Sequence, residues 1–319
     1  MDRKRPALQM DPQFAAAVRR AAELLQQAVR PTPGIDGARQ QMRQARQWWN
    51  EGGPAMHREI ETEVPVAGKR IAVVVYVPTK SDLPRPAYLF LHGGGFRFGD
   101  ARSNARMMRE LAAGWGGIVV SVDYAHLPEH VFPAAVTDTA QVFQWIAANG
   151  AGWGIDGTRL AFGGTSSGAN IALGAAIHLG KDGTGFLHAG ALLVGTFDTD
   201  FDDASMDTHG DGTLFPSQAS ARATLLHYVP DLAMRSDPRV NCIAADTSLL
   251  PPLFIAAAEL DVFRDSSRRM AAVLQQAGRP HRYVEYAGVG HLFAGYSRMV
   301  DAASRCITDI GDFLRVHLG

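Results

Sequence analysis

A chain of 319 residues, 46% hydrophobic and 20% charged, has apolar content for a full-sized core built as one large domain or two small ones. A formal net charge of −1 argues against a dedicated nucleic-acid partner. No apolar run reaches the length of a membrane span, and no hydrophobic segment follows the basic start MDRKRPAL, which reads as a solvated tail.

In chain order, Phe14, Val18, Leu25 and Val29 recur at helical spacing, with Asp11 placed to cap the helix and Pro12 suited to its first position. PTPG at 31–34 stops it, and a second helical stretch covers 37–53. From about residue 70 the pattern changes to short β-branched or apolar runs bounded by turn residues: 70–78, 87–92, 117–123, 160–164, 191–195, 253–259 and 282–287. Helical segments lie between them, over 103–114, 133–149, 167–179, 265–278 and 293–315. Strands alternating with helices imply an α/β fold, with a mostly parallel sheet covered on both faces. Residues 196–244, rich in Asp, Gly and Ser and then weakly helical, contain no clear strand. They read as an insertion that forms a lid with the N-terminal helices. Two cysteines, Cys242 and Cys306, make no disulfide framework, and neither has histidine at metal-ligand spacing. A cytoplasmic protein is expected.

The stretch FGGTSSGAN (162–170) joins an apolar strand to a helix and sets two serines side by side. A G-x-S-x-G turn is so tight that its flanking positions need glycine, and it lifts the serine hydroxyl above the sheet. Only Ser166 fits, between Gly164 and Gly168. Ser167 then follows the nucleophile, where its backbone N–H faces a developing oxyanion. A glycine-rich turn that cradles a pyrophosphate is the rival reading. It should follow the first strand and precede a Tyr-x-x-x-Lys pair. Here several strands come first, and the one such pair, Tyr76 and Lys80, lies upstream with Pro78 inside it.

A serine nucleophile needs a base, an orienting acid and an oxyanion hole. In LHGGGF (91–96), successive glycines let the backbone approach a substrate, so the Gly94 and Gly95 N–H groups can join that of Ser167. Glu259, Asp261 and Asp265 follow one strand, and His291 sits in a glycine-flanked loop after the last strand. The order Ser, Asp, His is the α/β-hydrolase order.

These motifs resemble those of the hormone-sensitive-lipase-like carboxylesterases, bacterial family IV, of the α/β-hydrolase fold. The likeness runs from about residue 70 onward through HGGGF, VDYAHLPEHVFPAAVTD, GGTSSGAN, DPRVNCIAADTSLLPPLFIAAAELDVFRD and GVGHLF, and DPQ at 11–13 fits the start of a cap. The resemblance implies Ser166 as nucleophile, His291 as base and Asp261 as orienting acid, with Gly94, Gly95 and Ser167 as oxyanion donors. It also implies cap helices over 1–55 and a catalytic domain over 56–319, with 196–244 as an inserted cap segment. Thr165 and Ser167 stand where many members have Asp and Ala, and YAHLPEH and DPRVNC replace the commoner YRLAPEH and DPRVSP. His92 and Asp123 read as loop organisers. His126 and His130 lie near Glu129 as a metal site would require, but the PEH match assigns them a structural role. No metal and no cofactor are implied.

The expected activity is hydrolysis of short- to medium-chain carboxylic esters, small-molecule substrates, through an acyl-enzyme. An amidase or formamidase would use the same groups. A non-catalytic receptor on this fold is disfavoured because Ser166, Asp261 and His291 are all present. Trp48, Trp49, Phe96 and Phe215 are the expected pocket walls, with Phe98, Phe197 and Phe293 as further candidates. The edge strand near 282–286 is the surface through which a homodimer would form.

Overall fold

Asp11 and Pro12 open the first helix as their chemistry requires. The computed structural model describes residues 9–319, so the basic start lies outside the described residues. Helix α1 spans Pro12–Gln27, and the Asp11 carboxylate accepts from the Gln13 and Phe14 N–H groups at 2.8 and 3.0 Å. Its buried stripe differs from the expected one. Leu25 and Val29 are exposed, and Val29 lies beyond the helix end. Phe14 is buried as expected, together with Ala17, and Val18, Ala21 and Leu24 pack against the same cluster. Helix α2, Gly34–Asn50, follows and buries Ala45 and Trp49.

The sheet begins with a strand that the sequence reading misses. β1, Arg58–Val66, alternates exposed Arg and Glu side chains with partly or fully buried ones, so its composition reads as polar. Its charged outer face suits an edge strand. It pairs antiparallel with β2, Lys69–Val77. Then come β3 (Arg85–Leu91), α3 (Ala105–Trp115), β4 (Ile118–Val122), α4 (Ala134–Asn149), β5 (Ile155–Thr165) and α5 (Ser167–Leu179). After β6 (Leu187–Leu193) the insertion supplies α6 (Ala204–His209) and α7 (Gln218–Tyr228). The chain closes with β7 (Leu253–Ala258), α8 (Arg264–Gln276), β8 (His281–Tyr286) and α9 (Asp301–Leu318). The expected helix over 293–315 is interrupted: one 3₁₀ turn covers Phe293–Tyr296, and α9 starts only at Asp301. Its start is bound to α1, because Gln13 accepts from the Asp301 N–H and donates to its carboxylate.

The described residues form an eight-stranded sheet in the order β1-β2-β4-β3-β5-β6-β7-β8, parallel from β4 to β8. Alternation along each strand divides the core into two layers. In β3, Leu89 and Leu91 join α4, α5 and α8, whereas Tyr88 and Phe90 join α3 and α9. Parallel strands all end at one edge, and there the chain leaves β3, β5, β7 and β8 for the loops carrying the motif residues. Among the described residues, no helix is long and apolar enough to cross a membrane.

Candidate active site

The turn from β5 into α5 consists of Ser166 alone, at φ 56° and ψ −124°. A non-glycine residue adopts this conformation only where its surroundings enforce it. The neighbours explain why it is tolerated. A Cβ on Gly164 would lie 2.4 Å from the Leu91 carbonyl oxygen, and one on Gly168 would lie 2.2 Å from the same atom. Only glycine lets α5 start this close to the end of β3.

Ser166 Oγ lies 2.7 Å from His291 Nε2, and His291 Nδ1 lies 2.9 Å from Asp261 Oδ2. The other Asp261 oxygen accepts from the Phe263 N–H at 3.1 Å, which orients the carboxylate. Asp261 and His291 are both buried. The two neighbouring carboxylates are engaged elsewhere. Glu259 accepts from the Gly288 N–H at 2.7 Å, and Asp265 accepts from the Ser205 N–H and pairs with Arg264 and Arg268.

The glycine loop after β3 runs beside the serine, and a Cβ on Gly93 would lie 3.2 Å from Ser166 Cβ. Gly94 and Gly95 both have positive φ, at 141° and 60°. Among the described residues no protein acceptor meets the N–H groups of Gly94, Gly95 or Ser167. Tyr124, which the sequence reading did not single out, joins the two sides. Its hydroxyl donates to the His92 carbonyl at 3.0 Å and lies 3.3 Å from Ser167 Oγ. Burial raises the phenol well above its usual range, so it stays protonated as a donor.

The four expected wall residues separate into two groups. Phe215 is exposed, with its ring centroid 6.3 Å from that of His291, and Phe96 is buried in a stack on Tyr228 at 3.7 Å. Trp49 instead packs on Tyr296 at 4.3 Å, and the guanidinium groups of Arg298 and Arg20 lie over the Trp48 ring, 3.9 and 4.9 Å from its centroid. Phe263 stands closer to His291, at 5.3 Å, two residues beyond Asp261 in the same loop. That proximity in sequence was the available signal for it. Of the further candidates, Phe197 and Phe293 are fully buried and Phe98 is partly exposed.

Both candidate cap segments reach these loops. Phe14 of α1 packs against Gly290, and the Asp11 N–H donates to the Gly288 carbonyl at 2.8 Å. From α2, Arg39 donates to the carbonyls of Arg97 and Leu127 and grips Glu129 with two bonds of 2.9 and 2.8 Å. That guanidinium holds the Glu129 carboxyl down to about 2. From α7, Thr224 lies against Gly95. A separate donor set (His92, Asp123 and His126) adjoins the glycine loop rather than the serine.

A hydroxyl hydrogen-bonded to a buried imidazole, itself held by a carboxylate, can attack a carbonyl with general-base assistance. Comparison with known proteins agrees with that chemistry. The model of a family described as "alpha/beta hydrolase fold" matches residues 88–295. The chain is 28% identical over 287 residues to an acetyl esterase of Salmonella choleraesuis strain SC-B67, covering 89% of this chain and 88% of that protein. A thermostable esterase from Pseudomonas putida ECU1011 superposes with a TM-score of 0.87 at 28% identity, over 97% of this chain and 98% of that one. A hyperthermophilic esterase from the archaeon Pyrobaculum calidifontis also gives 0.87, at 27% identity over 96% and 98%.

Proposed function

The chain belongs to the α/β-hydrolase fold family, and from that premise we propose that it is a serine carboxylesterase of the hormone-sensitive-lipase-like type. It cleaves short- to medium-chain esters through an acyl-enzyme. The observation that carries this reading is the continuous chain Ser166–His291–Asp261, with contacts of 2.7 and 2.9 Å at the ends of parallel strands. The esterases it resembles in sequence and structure support the same activity.

Ser166 Oγ attacks the ester carbonyl and passes its proton to His291 Nε2. Asp261 holds the ring with Nδ1–H directed at its carboxylate and stabilises the imidazolium that forms. The N–H groups of Gly94, Gly95 and Ser167 receive the oxyanion. Collapse expels the alcohol, which takes the proton back from His291. Water then attacks the acyl-enzyme through the same base and releases the acid.

In this reading the helices within 1–55, together with 196–244, form a cap over the catalytic domain of 56–319. Their contacts with the Gly288–Gly290 and Gly94–Arg97 segments support it. The exposed edge strand β8 is the face through which two copies would pair. A cytoplasmic location rests on the two free cysteines.

A fluorophosphonate probe followed by peptide mass spectrometry tests the reading. We expect one adduct, on Ser166, and faster turnover of a p-nitrophenyl ester than of the matched anilide. Labelling elsewhere removes the nucleophile, and preference for the anilide moves the activity to an amidase.

A further inference from the structure

His92 Nε2, Asp123 Oδ1 and His126 Nε2 are buried and have no hydrogen-bond partner among the described residues. All three lie within 4.8 Å of one another. His92 Nε2 is 3.6 Å from Asp123 Oδ1, and His126 Nε2 is 3.8 Å from it. Buried polar atoms are normally satisfied, so three orphans this close together call for a shared partner.

The tautomer of His92 sharpens the conflict. Its Nδ1 lies 3.0 Å from the Gly93 carbonyl oxygen, which can only accept, so Nδ1 carries the hydrogen. In the neutral ring Nε2 is then a bare lone pair facing a carboxylate oxygen that also only accepts. Protonating Nε2 would supply a donor, but 3.6 Å is too long for the bond. Nor can the ring easily move away: a Cβ on Gly99 would lie 2.3 Å from His92 Nδ1, so glycine is needed even for the present position. A cation among the three atoms removes the repulsion and satisfies all of them.

We propose that His92 Nε2, Asp123 Oδ1 and His126 Nε2 form a binding site for a divalent transition metal of the Zn²⁺ type. Two imidazoles and one carboxylate suit an ion of borderline softness. Zn²⁺ bonds of about 2.0–2.1 Å place tetrahedral ligand atoms about 3.3 Å apart, so the ion would draw the present set inward. The Nδ1–H bond to Gly93 is the outer-shell contact that orients a metal-binding imidazole. Spacing along the chain set His126 beside His130 and Glu129, but in the fold it meets His92 and Asp123 while Glu129 is held by Arg39.

Access and charge agree with the assignment. Asp123 and His126 also line the wall of a cleft with Glu63, Lys69, Arg70 and His130, the side from which an ion would enter. Its two fixed cations are already neutralised, Lys69 by Asp138 and Arg70 by Glu63, each at 2.5 Å. The ion would brace His92, from which the Gly93–Gly95 backbone departs, and takes no part in the proposed reaction. The inference stands apart from the esterase reading, because its readout is metal binding without substrate.

The test uses the full chain without a polyhistidine tag, stripped with chelator and titrated with Co²⁺. We expect one equivalent to bind with visible ligand-field absorption, Zn²⁺ to displace it, and Zn²⁺ to raise the melting temperature. His126→Gln and Asp123→Asn should each weaken binding by at least about 100-fold, because loss of a direct ligand exceeds the cost of an outer-shell change. His130→Gln should bind as the wild type does. Melting curves without metal establish that each variant is folded, and either variant alone suffices for the comparison. Absence of saturable binding overturns the proposal, as does equal binding by wild type and both ligand variants.

Discussion

Asp261 gives one oxygen to His291 Nδ1 at 2.9 Å and the other to the Phe263 N–H at 3.1 Å. Asparagine at this position can keep only one of those contacts as an acceptor; its amide group would face either a backbone N–H or an imidazole N–H. Asp261→Asn should therefore lower kcat by on the order of 10³–10⁴ with little change in KM. Asp265→Asn loses pairing to Arg264 and Arg268 and should lower the melting temperature more than kcat. Steady-state kinetics and thermal melts of both variants decide this, and the reverse ranking moves the acid to Asp265.

The two adjacent serines should separate cleanly. Ser166→Ala removes the proposed nucleophile and should reduce kcat by roughly 10⁴ or more. Ser167→Ala keeps its backbone N–H and loses only the 3.3 Å contact with Tyr124. It should cost about tenfold at most, since one neutral hydrogen bond of this kind contributes about 1 kcal/mol. Equal losses would contradict the assignment.

The elbow glycines are a stability test. Gly168→Ala drives a methyl group to within 2.2 Å of the Leu91 oxygen and 2.4 Å of the His92 oxygen, both backbone atoms. It should destabilise by more than about 4 kcal/mol, or leave no folded protein. Gly152→Ala, with no atom within 4 Å of the new methyl group, should stay within about 0.5 kcal/mol. Denaturant midpoints give the comparison; a well-folded Gly168→Ala chain would mean that the elbow is looser than these contacts imply.

Acyl preference should depend on Phe215 and not on Trp48. Phe215 is exposed beside His291, so Phe215→Ala should reduce kcat/KM for long-acyl esters more than for acetyl esters, with little change in melting temperature. Trp48 carries the guanidinium groups of Arg298 and Arg20 over its ring, and Trp48→Ala should lower stability and leave chain-length preference intact. A hydrolysis series across acyl lengths distinguishes the two.

The anchor of α2 should weaken only in acid. Arg39 depresses the Glu129 carboxyl to about 2, so its contribution is fully present above the unfolded-state pKa. It is lost as pH falls from about 4.5 toward 2. Glu129→Gln should accordingly lower the melting temperature at pH 7, and its deficit relative to wild type should shrink below about pH 4. A constant deficit across that window would show that the charge of Glu129 does not hold α2.

The sequence by itself determined the local features. A strand-turn-helix with glycines two residues either side of Ser166, a glycine loop after a strand and the Asp11 cap are all steric or hydrogen-bonding requirements satisfied within a few residues. Alternating apolar strands and helices likewise determined a mostly parallel sheet, because each run must bury both faces. Interruption of the last helix was not legible, since the start of α9 is bound to Gln13 from the other end of the chain. β1 was hidden because an edge strand with one solvated face has no apolar run to read. The resemblance implied Asp261 as the acid, but the residue pattern alone left Glu259 and Asp265 open. The tertiary structure brings only Asp261 to His291 and sets Phe215 and Phe263 rather than the paired tryptophans beside it. It alone turned His126 from its sequence neighbours toward His92. Each of these contacts joins residues from separate loops, and their meeting depends on strand order and packing, which no local pattern encodes.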